Sequence, residues 1–475
     1  MNDFRHQAES VKLARLLHTP VANLDFLDAL NATELYTLRE AAARHLLDEH
    51  RAFFRRIATA SKLLPSALNA FISERTIGPL LCARIAGEMS PPRAMEIARH
   101  LSPLFMAATA IHLEIEKATA LTAALPLPSI LAVARELIAQ KEFITLGSLV
   151  DRLPITIIEK VMREIHDGEA LLRIAFFIED AQRLNQLLDV LPDGRLPAIM
   201  QAAANESTDL WPHALALMSV VEPQWKQQLV TMAVDNDADM LSSMIRGVIK
   251  HDLWSTVLPL MDLMDESHRR RVINMPVLQD DAVLRRLLQA AERDNLWHFL
   301  MPLVPLMNPD LLVRTARITD ELSENTLHHL VQVSHEKLLW KSLLPLIEVM
   351  GSARRSTLTL HVAEQSDVIL NHLLRSVHEA GHWTLLLALI VEQTPEAQYR
   401  LLDRAKNLEP DLCAHLLVAA VAADLSDLML QRMAELPLAE QILHRGTLLS
   451  LPTDTLERLR QRSRELGAAR LLDPD

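Results

Sequence analysis

The chain has 475 residues, 49% of them apolar but only 4% aromatic, with 10 Gly, 2 Tyr and a formal charge of −13 at pH 7. Sheet proteins lean on aromatic and β-branched strands and on glycine in their turns, so this composition favours an all-α fold. The acidic balance argues against binding along a nucleic-acid backbone. Two cysteines, Cys82 and Cys413, are too few for a disulfide framework or a CxxC metal site, and point to a reducing compartment.

The first residues, Met1 to Gln7, carry no apolar stretch of a secretory signal. The longest apolar runs, such as residues 385–391, fall far short of the ~18 residues a membrane span requires. A cytoplasmic protein without a transmembrane segment is expected. Residues 1–73 hold the highest local basic density, with Arg51, Arg55, Arg56 and Lys62, and read as two or three helices forming an N-terminal cap.

A twelve-residue rhythm follows. Met89-Ser90-Pro91, Leu101-Ser102-Pro103, Leu113-Glu114-Ile115 and Leu125-Pro126-Leu127 are evenly spaced, with short amphipathic stretches such as Ala94 to Ala98 between them. Proline fits the first turn of a helix, so the pattern predicts short helices joined by Ser-Pro turns. Looser copies occur at Leu153-Pro154, Leu191-Pro192 and Glu222-Pro223. This rhythm resembles the intracellular N-terminal domain of the MgtE magnesium transporters. The resemblance implies a right-handed superhelix of short helices over residues 74–200, and, as a function, regulation of a membrane transporter. The acidic residues Glu88, Glu96, Glu114 and Glu116 are scattered, so magnesium sensing is not carried over.

Residues 201–425 keep a longer period. Trp211, Trp254, Trp297, Trp340 and Trp383 stand 43 residues apart, the mark of a stacked repeat protein. With each Trp as position zero, +6 is Leu217, Leu260, Leu303, Leu346 and Leu389, and positions 0, +3, +4 and +7 form an apolar helical face. Position +5 is Pro259, Pro302 or Pro345, so the helix begins after the Trp or kinks there. Position −17 is Asp237, Asp280, Ser323 or Ser366, predicted N-caps of a preceding helix. A third segment, such as residues 267–275 or 309–318, also reads as helical. Leucines flank the Trp, which predicts burial as a wedge between units. The unit size resembles HEAT and armadillo arrays. Residues 426–475 read as a degenerate cap copy: Met429, Leu430 and Met433 persist, but Ser426 replaces Trp and Arg432 replaces the +6 Leu. No Gly-, Pro- or Ser-rich linker divides the chain, so one continuous right-handed α-solenoid is expected.

The sharpest chemical motif is His378-Glu379-Ala380-Gly381-His382, a match to HExxH, in which two His on one helical face hold zinc and the Glu activates water. The repeat register weakens it. His335-Glu336 occupies the same register one unit earlier without a second His, and His382 takes the slot of Leu210, Leu253, Leu296 and Leu339. His328, His329, His335, His361 and His372 form a looser cluster. Basic residues recur in register: Arg271, Arg314 and Arg400 at +17, and Lys226, Arg269 and Arg355 at +15. A ladder of this kind suits an acidic peptide or a phosphate-bearing partner. No glycine-rich phosphate loop and no G-x-S-x-G occurs. The expected function is a non-enzymatic scaffold that binds a protein or peptide, with no cofactor and no nucleic acid. The alternatives are a zinc-dependent hydrolase and a transporter-regulating module.

Overall fold

A computed structural model describes residues 3–48, 51–236, 238–321, 323–394, 396–398, 410–422, 427, 430, 431, 434, 449, 451–467 and 472. Among the described residues the chain is all-α, 80% helical and without a strand. It divides into two compact units, Met1–Thr256 and Val257–Asp475. The boundary falls inside the 43-residue array.

The first unit opens with α1 (Asp3–Leu16), α2 (Ala32–Asp48), α3 (Arg51–Ala60), α4 (Ser66–Ile72) and α5 (Pro79–Gly87). Then come α6 (Pro91–Ala98), α7 (Pro103–Ala110), α8 (Ile115–Ala124) and α9 (Leu127–Ala139). From α5 to α9 every helix starts twelve residues after the last, as the Ser-Pro rhythm predicts. Proline opens α5, α6 and α7, and the Ser102 hydroxyl caps α7 by accepting from the Phe105 N–H at 3.3 Å. These helices have 8 to 13 residues, too short to be stable alone, so packing must hold them.

That packing runs in two layers. α3 stacks on α5, α5 on α7 and α7 on α9, while α4 stacks on α6 and α6 on α8. The same alternation continues through α10 (Phe143–Arg152), α11 (Ile155–Glu164), α12 (Gly168–Phe176), α13 (Ala181–Asp189) and α14 (Arg195–Ala204). The unit ends with α15 (Trp211–Val220), α16 (Pro223–Asp235), α17 (Ala238–His251) and the start of α18 (Trp254–Val257).

The segment expected to cap the N-terminus behaves as two parts. α3 joins the layers, whereas α1 and α2 pair with each other and α1 lies on α15. Ala8 shares a buried cluster with Phe176 and Ala216. Ion pairs fix the hairpin in place. Lys12 lies 3.1 Å from Glu9 and 2.7 Å from Glu179, and Arg39 lies 2.9 Å from Glu9 and 3.0 Å from Glu179. The Lys12 and Glu9 side chains are buried, so each depends on its partner for solvation.

The second unit continues with α19 (Glu266–Ile273), α20 (Asp281–Arg293), α21 (Trp297–Leu300), α22 (Pro309–Thr319), α23 (Glu324–Glu336) and α24 (Trp340–Val349). Then follow α25 (Ser352–Ala363), α26 (Asp367–Ala380), α27 (Trp383–Val391), α28 (Pro410–Ala422) and α29 (Thr453–Glu465). α20 stacks on α22, α22 on α24 and α24 on α26; α23 stacks on α25 and α25 on α27. Leu416, Ala420, Leu430, Leu451, Leu459 and Leu472 close the C-terminal core around Leu387.

Every Trp of the ladder is the first residue of its helix. The proline at +5 acts in two ways. Beyond Val257 and Leu300 the helix tightens into 3-10 turns (Leu258–Leu263 and Met301–Leu306), whereas Pro345 sits inside the continuous α24. Asp280 caps α20 through the N–H groups of Ala282 and Val283, and Ser323 caps α23 through that of Thr326. Ser366 occupies the N-cap of α26 without a side-chain bond. Asp237, Ser426, Met429, Arg432 and Met433 lie outside the described residues.

Trp254, Trp297 and Trp340 are buried, and Trp211 and Trp383 are half-buried. Trp211 shows the wedge: a Cβ on Gly247 of α17 would lie 2.7 Å from its ring, so only glycine admits the indole there. A second rule had no counterpart in the sequence reading. The residue two before each Trp is left-handed: Asp209, Asp252, Asn295 and Leu338 have φ between 51° and 56°, and Gly381 has φ 71°. In four copies the next residue's N–H returns to a carbonyl five residues back: Leu253 to Val248, Leu296 to Ala291, Leu339 to Ser334 and His382 to Val377. This is the Schellman helix stop, which turns the chain from one helix into the Trp helix.

Candidate functional site

The HExxH segment is one of these stops. α26 ends at Ala380, Gly381 takes the left-handed turn, and His382 begins the next segment. His378 and His382 therefore do not project from one helical face. His378 Nδ1 accepts the indole N–H of Trp383 at 3.3 Å, and its ring stacks on His415 at 3.8 Å. Glu379 pairs with Lys341, which holds its carboxyl below the ordinary range. Among the described residues no group of three metal-ligating side chains converges. Of the looser cluster, His328 faces His361 at 6.1 Å and His335 faces His372 at 5.5 Å between ring centroids.

The +15 cations work for the fold. Lys226 donates to the Ser219 carbonyl at 3.2 Å, Arg269 to Met264 at 3.1 Å and Arg355 to Glu348 at 3.5 Å. Each satisfies a carbonyl in the last turn of a Trp helix or just beyond the 3-10 turn that extends it. Arg355 also meets Glu392 at 2.5 Å. At +17, Arg314 donates to the Gln279 carbonyl at 2.7 Å and lies 3.8 Å from Asp281, while Arg271 is exposed on α19. Arg400 lies outside the described residues. Two of the N-terminal basic residues are likewise engaged: Arg51 with Glu88 and Glu114, and Arg55 with Glu88.

The feature that sequence reasoning missed lies in the first unit. An apolar hollow of about 290 Å³ opens between the two layers, walled by α3 to α9. Its inner surface is aliphatic, with Ile57, Ile72, Ile85, Leu113 and Val133 among the lining side chains. Three polar side chains on the wall bond backbone carbonyls of the chain. Ser61 donates to the Ala58 carbonyl at 2.7 Å, Asn69 to the Ser61 carbonyl at 2.9 Å and Thr109 to the Phe105 carbonyl at 2.8 Å. Burial pushes the Cys82 thiol up, against the opposing hydrogen bonds of Ser73 and Thr109.

The same helices also expose large apolar side chains. Phe53 on α3, Leu80 and Leu81 on α5 and Leu104 on α7 are exposed, Leu104 by 58%. These three helices are successive members of one layer. Phe71 on α4 of the other layer is 61% exposed. Large apolar side chains exposed on successive helices of one layer present a surface suited to a second apolar body.

A second hollow of about 250 Å³ is polar and lies where α2 meets α10 and the turn before α13. Asp151 there accepts the backbone N–H groups of Glu179 and Asp180 at 2.8 and 3.3 Å, and burial pushes its carboxyl up. Arg39 and Glu179 on its wall belong to the ion pairs that hold α1 and α2. No protein-family model matches the chain, and no curated protein matches it.

Proposed function

We propose that this chain is a non-enzymatic helical-repeat scaffold that binds a protein partner on the outer face of α3, α5 and α7. The observation that carries this reading is the exposure of Phe53, Leu80, Leu81 and Leu104 on successive helices of one layer. Each such side chain gains about 1.5–3 kcal/mol on full burial, although association entropy consumes a large share of the sum. The partner's matching surface is an apolar helix face. The basic ladder takes second place as a contact surface. Lys226, Arg269, Arg314 and Arg355 each donate to a backbone carbonyl of their own chain.

Affinity capture from native lysate with three forms tests the reading. The wild-type chain and an Arg271→Glu/Arg314→Glu variant should retain the same partner, and a Leu80→Asp/Leu104→Asp variant should lose it. Loss in the arginine variant alone would move the contact to the ladder.

A further inference from the structure

We propose that the hollow between the two layers of α3 to α9 binds one long unbranched alkyl chain, as carried by a fatty acid. This concerns the inner face of these helices and goes beyond the docking of a protein on their outer face.

Three properties select the ligand class. The first is shape. Ile57 on α3, Ile85 on α5, Met106 on α7 and Val133 on α9 all line the hollow, and these helices stack in succession. At roughly 8–10 Å per helix step, the void runs along the layer instead of closing into a sphere. A linear chain follows such a channel; a rigid ring system does not.

The second is calibre. At about 290 Å³ the hollow is larger than the ~150 Å³ cavity that takes up benzene. Alanines such as Ala86, Ala94 and Ala110 hold the wall back where leucine would fill the space.

The third is chemistry. Ser61, Asn69 and Thr109 already bond the protein's own carbonyls, so these wall groups call for no polar ligand. A predominantly aliphatic site takes an apolar guest.

The test titrates the full chain with cis-parinaric acid, a linear fluorescent fatty acid, and displaces it with palmitate. Saturable uptake is expected, weakened about tenfold or more in an Ala86→Leu/Ala110→Leu variant that fills the channel. Because that variant could misfold, a second readout needs no packing change. In a Cys413→Ser background, palmitate should slow modification of Cys82 by N-ethylmaleimide. Absent uptake, uptake undiminished in a folded filled variant, or uptake that leaves Cys82 equally reactive would each overturn the proposal. A Leu80→Asp/Leu104→Asp chain should still take up the fatty acid, which separates this failure from failure of the docking surface.

Discussion

Trp383 donates its indole N–H to Nδ1 of His378 at 3.3 Å, joining the last tryptophan of the ladder to the first histidine of the HExxH segment. The bond runs from the start of α27 back to the end of α26, across the left-handed Gly381. One unit earlier His335 and Trp340 hold the same register, yet His335 Nδ1 and Trp340 Nε1 are both buried without a protein partner. The fifth copy thus ties its helix stop with a bond that the fourth lacks.

Zinc content follows from this bond. Nδ1 of His378 is occupied, its ring lies on His415, and Glu379 is held by Lys341. Purified protein is expected to carry well under one equivalent of zinc by elemental analysis, with no change in His378→Ala. A full equivalent that vanishes in that variant would restore the hydrolase reading.

Leu338 is the one left-handed position of the ladder without Asp, Asn or Gly, and its side chain is 68% exposed. A β-carbon with a bulky side chain costs about 1 kcal/mol in that conformation, and little burial is lost on replacing it. Leu338→Asn is expected to stabilise the fold by about 1 kcal/mol, read as a higher urea midpoint with an unchanged slope. A lower midpoint would show that Leu338 contributes packing that outweighs the strain.

The rule at this position was open to sequence reading and shows where such reading stops. Asp209, Asp252, Asn295 and Gly381 are all tolerant of positive φ, but Leu338 breaks the pattern and conceals it. The Trp spacing, the caps at Asp280 and Ser323 and the Ser-Pro helix starts were legible because each is a local, periodic requirement. The hollow was not. An alanine facing a void and an alanine facing a packed neighbour look alike in sequence, and its wall draws on seven helices. The contact of Lys12 with Glu179 was hidden for a different reason: 167 residues separate them, and no periodicity links them.

That contact makes its own prediction. Lys12→Ala leaves buried Glu9 with Arg39 as its remaining partner, so the cost stays below the about 3–5 kcal/mol of a fully unpaired buried charge. Amide exchange in α1 is expected to accelerate strongly, while α5 to α9 keep their protection. Unchanged exchange in α1 would mean that Ala8 and its apolar neighbours hold the helix without the ion pairs.

His213 gives the pH dependence. It packs on Phe176 at 4.2 Å, and burial pushes its pKa below the ordinary value, helped by Arg173. Above about pH 6.5 the imidazole is neutral whether folded or unfolded, and its contribution to stability is complete. As pH falls further the unfolded chain takes up the proton more readily, so stability declines. His112 is shifted the same way by burial and adds to the slope. His213→Phe is expected to flatten the fall in thermal midpoint below pH 6.5; an unchanged slope would remove His213 from this account.

Site-specific photo-crosslinking tests the docking surface most directly. A benzophenone amino acid placed at Leu104 or at Arg314 is irradiated in native lysate, and the adducts are identified. The account expects the same protein adduct from Leu104 in repeated trials and none from Arg314. An adduct at Arg314 with none at Leu104 would contradict it and place the partner on the basic ladder.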